Sequence, residues 1–227
     1  MENEEIRIGG DIIGCSKSEK LLGIEVASDL TWTKHLENTH GELLKRLGLI
    51  RRLRYKLPSS CLKLIADGLF QSKIRYGACL FVNPILNDRE SHSGLVEKLQ
   101  KVQNELNRVL MGVKRSDRIR NKDLSEMTGL QTVNQIACTQ MLHELRKIIV
   151  EGSIPEMQAA LLNKLQNSRD TRAKSDFKLT VPEGASRNSF IQGAVKLWNA
   201  APQSLRDARE YPKEFKAMTG TFVATLP

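Results

Sequence analysis

Aromatic residues make up only 5% of this chain, so its core has to be built mostly from Leu, Ile and Val. The four cysteines, Cys15, Cys61, Cys79 and Cys138, stand too far apart for a C-x-x-C site. His35, His40, His92 and His143 form no metal-ligand spacing with them. Isolated thiols of this kind are expected of an intracellular, reduced protein, nuclear or cytoplasmic, with no structural zinc. No apolar run approaches the roughly 18 residues that a bilayer-spanning helix needs. The acidic start, Met1-Glu2-Asn3-Glu4-Glu5, is unlike a secretory or mitochondrial leader. Neither a membrane partner nor a targeting segment is expected.

Signs of self-contained catalysis are missing too. A loop that cradles phosphate needs a pattern such as G-x-x-x-x-G-K-[ST], and a nucleophilic serine would sit in an elbow such as G-x-S-x-G; neither occurs. Two-metal phosphoryl transfer needs carboxylates clustered around ions about 4 Å apart. The acids here are scattered among bases, with no D-x-D and no adjacent Asp-Asp. No catalytic residue, metal or cofactor is therefore expected in this chain.

What is present is charge of one sign in the middle of the chain. Over 227 residues, 40% hydrophobic and 27% charged, the composition is that of a globular protein. Lys plus Arg number 35 against 26 acids, net +9. Residues 1–30 carry net −4, residues 31–80 net +7 and residues 98–122 net +6. Such an asymmetric excess favours a polyanionic partner, most often nucleic acid.

The hydrophobic period divides the chain. Ile6-Arg7-Ile8, the Gly9-Gly10-Asp11 turn signal and Ile12-Ile13 predict a small hairpin. The apolar run Lys20–Val26 predicts one further strand. From Thr33 the period turns helical, with Leu36, His40, Leu43, Leu47 and Ile50 on one face. Lys34, Lys45, Arg52 and Lys56 fall on the opposite face within roughly 40° of one another, beside Gly41 and Gly48. A second helix is predicted from about Ser60 to Phe81, with Leu62, Ile65, Leu69, Tyr76 and Leu80 inward and Asn83-Pro84 as its stop. After a polar loop at 84–93, the clearest helix carries Val96, Leu99, Val102, Leu106 and Val109, with Gly112 at its C′ position. Short and long helices follow at Asp123–Thr128, Thr132–Val150 and Pro155–Leu165. A strand is expected at Phe177–Val181, then a helix at Ser189–Ala200, a turn at Pro202–Arg206 and a last amphipathic segment at Tyr211–Phe222. The fold class is mainly α, a multi-helix bundle with a small N-terminal β element.

Several segments in order, Ile6-Arg7-Ile8-Gly9-Gly10, Lys20-Leu21-Leu22-Gly23, Asp29 with Trp32 and His35-Leu36, Ile74-Arg75-Tyr76-Gly77, and Leu99 through Asn104, resemble those that follow the palm in reverse transcriptases of non-LTR retrotransposons of the jockey type. That family carries K-[YF]-L-G, then D-x-x-L-x-W-x-x-H-[IL], then L-x-x-[IV]-Q-N. Its closing pattern, S-F, L-W-N-x-L-P, [IL]-R and F-K, is similar to Ser189-Phe190, Leu197-Trp198-Asn199-Ala200-Ala201-Pro202, Leu205-Arg206 and Phe215-Lys216. Leu21 and Ala201 depart from it. The resemblance runs from 6 to 216.

The resemblance implies a division into a primer-grip-like hairpin at 1–30, thumb-like helices at 31–83, a helical region at 84–168 and a C-terminal segment at 169–227. Lys20, Leu21, Leu22 and Gly23 would be the primer grip. Lys34, Lys45, Arg52 and Lys56, with Gly41 and Gly48, would face an RNA–DNA or DNA duplex. The catalytic aspartates and their Mg would belong to the absent palm, so the chain would be inert alone, and the missing palm and fingers would be a further partner. On charge alone, a solvated helix face is the commoner reading of the same stripe. Lys98, Lys101, Arg108, Lys114, Arg115, Arg118 and Arg120 could likewise contact a strand or simply solubilise. Trp32, Trp198, Tyr55 and Tyr76 are expected as core anchors. The rival readings are a co-opted helical protein-interaction module and a metal-dependent nuclease.

Overall fold

The computed structural model describes residues 6–9, 11–14, 16–29, 31–82, 93–167, 176–186 and 189–226. Over these residues the chain is mainly helical with a small β entry. Strands β1 (Ile6–Ile8) and β2 (Asp11–Ile13) pair antiparallel, with Ile6 opposite Ile13. The predicted single strand beyond them is instead a second hairpin, β3 (Ser18–Leu21) with β4 (Ile24–Ala27), in which Leu21 faces Ile24. Leu22 and Gly23 form the two-residue connection, both with positive φ, 49° and 84°. That is the backbone a tight hairpin requires, so the apolar run is folded back on itself rather than extended.

Helix α1 runs Thr33–Leu53. Its buried face holds Leu36, Leu43, Leu47 and Ile50, with Thr39 and His35 completing it where His40 was expected. The predicted second helix breaks into α2 (Ser59–Ile65), a π-helical turn (Ala66–Gln71), α3 (Ser72–Arg75) and α4 (Ala78–Phe81). Its core residues are Leu62, Ala66, Phe70, Ile74 and Ala78, each four apart. A strict spacing of four drifts off one face of a 3.6-residue helix, and the wider π turn takes up the drift. Leu69, Tyr76 and Leu80, assigned inward by the 3.6 period, are therefore exposed. Gly77, at φ 76°, then turns the chain into α4. The Asn83-Pro84 stop and most of the polar loop at 84–93 lie outside the described residues.

Helix α5 (Ser93–Met111) buries Leu99, Val102, Leu106 and Val109, with Val96 half-buried, and Gly112 follows it at φ 73°. Helix α6 spans Asn121–Thr128. Helix α7 (Val133–Arg146) starts with a reciprocal cap: the Gln135 N–H donates to Thr132 Oγ1 (3.2 Å), and the Thr132 N–H donates to Gln135 Oε1 (3.0 Å). It runs on into a π-helical turn, Lys147–Glu151, and is followed by α8 (Pro155–Asn167). The C-terminal helices are α9 (Phe190–Ala200), α10 (Gln203–Asp207, where a turn was expected) and α11 (Pro212–Ala224).

Two hydrophobic clusters meet along α7. Val133, Ile136 and Ala137 join α1, α2, α4 and α5 in the first. Cys138, Met141, Leu142 and Leu145 join α9 and α11 in the second, around the fully buried Trp198 and Phe215. One helix thus contributes its first turn to one core and the rest to the other. The first core seals a polar junction: the side-chain amides of Gln71 (3.2 Å) and Gln103 both donate to the Gln131 carbonyl.

The expected strand at 177–181 is not assigned as one, because its backbone is paired by side chains. Asn199 accepts from the Leu179 N–H (2.9 Å) and donates to the Leu179 carbonyl (2.8 Å), as a strand neighbour would. Trp198 Nε1 donates to the Phe177 carbonyl at 3.0 Å, and Arg206 Nε donates to that of Asp176 at 2.7 Å. The Leu197–Pro202 and Leu205-Arg206 motifs are therefore a clasp on an extended segment. Trp198 is a core anchor, and Trp32 packs half-buried against the first core.

Candidate nucleic-acid interface

The β3–β4 hairpin is seated on α1 and the Tyr76-Gly77 corner. The Glu25 N–H donates to His35 Nδ1 (3.3 Å), Asn38 donates to Glu25 Oε1 (3.4 Å), and the Lys34 ammonium pairs with Glu25 Oε2 (3.3 Å) while donating to Ser18 Oγ (2.6 Å). At the tip, the Tyr76 hydroxyl donates to the Leu22 carbonyl. Tyr76 also lies over Gly23, where a Cβ would come 3.8 Å from its ring. A Cβ on Gly77 would come 3.0 Å from Ile24 Cδ1. Glycine is needed there for close approach as well as for its left-handed backbone.

This seating opens a cleft of about 420 Å³ between the hairpin and α1. Lys20 and Gly23 stand on one side, Thr39, Gly41 and Lys45 on the other, with Lys73 reaching in from α3. The acids Glu25, Glu37 and Glu42 also line it. Glu25 is taken up by Lys34, and Glu42 lies between Lys45 (3.9 Å) and Arg46 (3.8 Å). The Thr39 hydroxyl is buried without a hydrogen-bond partner among the described residues. His35 is held below its ordinary pKa, first by burial, then by Lys73 and Lys20, against the opposing pull of Glu25. Its Nδ1 accepts a hydrogen bond, so the proton of the neutral ring sits on Nε2.

The sequence-assigned residues divide between the cleft and the rest of α1. Lys20, Gly23, Gly41 and Lys45 share the cleft. Leu21 and Leu22 do not line it but project from the hairpin tip, 65% and 83% exposed. Lys34 is spent on Glu25 at the start of α1. Lys45, its side chain 79% exposed, is halfway along. Arg52 is exposed in the last turn, and Lys56 is exposed just beyond the helix end. Gly41 and Gly48 are half-buried, and a Cβ on either would meet nothing within 4 Å. Alanine at either would favour α1 by about 1 kcal/mol, so packing within the chain gives no reason for glycine there.

Lys73 and Thr39 carry no signal in the sequence, and His35 stands out there only within the Trp32–Leu36 segment, because α3 and the hairpin reach α1 only through tertiary contacts. Tyr55 and Tyr76 are not the core anchors expected: Tyr55 is 85% exposed and Tyr76 half exposed. Among the described residues no group of three or more His, Cys, Asp and Glu could hold a metal ion. None of the described helices is long and apolar enough to cross a membrane. Comparison with known protein families, curated proteins and solved structures finds no match to this chain.

Proposed function

We propose that this chain is the primer-grip, thumb and following helical region of a non-LTR retrotransposon reverse transcriptase of jockey-like type, and that it holds an RNA–DNA or DNA duplex by its backbone. The observation that carries this reading is the shared cleft. Lys20 and Gly23 of the grip-like hairpin line it together with Gly41 and Lys45 of α1, segments that the resemblance ties to the same duplex. Lys73 adds a third ammonium to that wall. The 21 residues of α1 extend over about 30 Å, long enough for Lys45, Arg52 and Lys56 to follow phosphates along a duplex. Gly41 and Gly48 leave room for a sugar–phosphate strand to approach the helix. Such contacts position a duplex and read little sequence. Phosphoryl transfer would be carried out by the palm, to which the exposed Leu21 and Leu22 offer an apolar contact.

A salt titration of binding to a labelled RNA–DNA duplex tests this. A face making three to five phosphate contacts gives a log–log slope of roughly −3 to −5, at about −0.9 per contact. Changing Lys45, Arg52 and Lys56 to Glu flattens the slope. The second reading, a helical protein-interaction module, is favoured by exposed apolar side chains, Leu21 and Leu22 at the hairpin tip and Leu64 and Met127 elsewhere. It predicts no salt-dependent nucleic-acid binding and no effect of these charge reversals.

A further inference from the structure

Beyond the cleft, the C-terminal end of α1 meets a second basic segment that is distant in sequence. Arg51 and Arg115 both hold Glu105 of α5, at 3.3 Å and 2.6 Å. Arg54 reaches Gly112, where a Cβ would come within 2.7 Å of its guanidinium. Arg108 keeps the loop after Gly112 folded back along α5 by donating to the Ile119 carbonyl (3.2 Å) and to Asn121 Oδ1 (3.1 Å). Arg52 and Lys56 from the α1 end therefore share one end of the bundle with Lys114 and Arg118 from the loop, all four exposed. The two acids of this region are already engaged. Glu105 is held between the two arginines, and Asp117 accepts from the Lys114 N–H at 2.7 Å.

Within this cationic end stands Tyr55, the most exposed aromatic ring among the described residues at 85%. The Arg54 guanidinium lies 5.6 Å from its centroid. Neither feature serves the fold, since an exposed tyrosine buries little and a row of cations at one end is mutually repulsive. An aromatic ring set among arginines and lysines matches one chemistry closely. Unpaired bases stack on the ring, the guanidinium adds a cation–π contact, and the surrounding cations neutralise the phosphates.

We infer that the end of the bundle formed by Tyr55, the α1 terminus and the 114–118 loop is a binding site for single-stranded nucleic acid, with one base stacked on Tyr55. It is separate from the cleft and takes an unpaired strand rather than a duplex. Stacking is sequence-tolerant, so the site has no strong base preference, and RNA and DNA strands share the chemistry it uses.

The test is fluorescence anisotropy of the whole 227-residue chain with labelled dT20 and U20, titrated with salt. Tyr55→Ala is expected to weaken binding about tenfold or more, and Tyr55→Phe to stay within about twofold of the unchanged protein. The double variant K114E/R118E should make the single-strand log–log slope shallower by about 1.4, at about 0.7 per phosphate. The control K178E/K213E makes the same change in net charge on exposed residues elsewhere in the chain, so it should leave the slope unchanged. Arg52 and Lys56 are left intact because they serve both surfaces. Circular dichroism of each variant checks that these exposed substitutions leave the fold intact. Binding indifferent to Tyr55→Ala, equal flattening by the control, or no single-strand binding at all each overturns the inference. The K20E/K45E variant separates the two sites, because it should weaken duplex binding and leave dT20 and U20 binding unchanged. Tyr55-dependent strand binding would stand even if duplex binding failed.

Discussion

Alanine in place of Gly77 tests how the hairpin is seated on the helices. Two costs arise at this position. The backbone is at φ 76°, where an L side chain costs about 1–2 kcal/mol. The new Cβ would also lie 3.0 Å from Ile24 Cδ1 and 3.4 Å from Phe81 Cε1. Phe81 is fixed in the first core, so the ethyl end of Ile24 has to yield, lifting β4 from the corner. Overpacking of this kind adds about 1 kcal/mol or more, for a total of roughly 2–3 kcal/mol in urea denaturation. Ile24→Val removes the Cδ1 atom that would be struck. In the double variant the steric part should vanish while the backbone part remains, leaving a coupling of about 1 kcal/mol. Gly184, at φ 80° with nothing within 4 Å of a Cβ, supplies the control: alanine there carries the backbone cost alone. Trypsin reports the hairpin directly, through faster cleavage after Lys20 in Gly77→Ala and recovery in the double variant. If Gly77→Ala and Gly184→Ala cost the same, or if Ile24→Val gives no rescue, the hairpin is not held by this corner.

Two further outcomes follow from the same contacts. His35 is held below its ordinary pKa when folded. Its stabilising contribution is therefore complete above about pH 6.5 and is lost as pH falls through the folded value. Urea midpoints should drop between pH 7.5 and 5.5. His35→Gln, whose side-chain oxygen can accept from the Glu25 N–H without titrating, should remove part of that drop. His143, also lowered, by burial first and then by Lys216, contributes to the drop in the same direction; a drop unchanged in His35→Gln would refute the role of the Glu25–His35 bond. Asn199→Ala leaves both the N–H and the carbonyl of nearly buried Leu179 without their partner, a cost of about 2–3 kcal/mol. Asn199→Asp keeps an acceptor for the N–H and should fall between alanine and the unchanged protein in thermal denaturation.

The helical class, the buried stripes of α1 and α5 and the glycine after α5 were legible in the sequence, because each rests on local periodicity and backbone preference. Leu36, Leu43, Leu47 and Ile50 need only a 3.6-residue repeat to fall on one face. The basic stripe of α1 follows from the same arithmetic. What the periodicity misread has equally physical causes. The stretch from Ser59 to Phe81 obeys a spacing of four that only a π turn can keep facing the core, and no local preference announces that turn. The Leu22-Gly23 connection hides inside an apolar run, because a leucine there takes a left-handed conformation helped by the Tyr76 hydroxyl, 54 positions away. The extended segment at 177–181 lacks a strand partner because Asn199 supplies both hydrogen bonds from a side chain.

The two surfaces depend still more on tertiary structure. The sequence by itself determined that the chain is basic in the middle, helical, and equipped with a row of cations on α1. Only the folded chain decided which of those cations stand together. Docking of the hairpin brings Lys20 to Lys45 and pairs Lys34 with Glu25, while packing of α3 against α1 adds Lys73. Packing of α1 against α5 places Arg51 beside Arg115 across a shared Glu105, sixty-four positions apart in sequence. Charge is a property of composition, but a charged surface is set by which helix ends the core draws together. Hydrophobic burial, indifferent to the cations themselves, settles that arrangement.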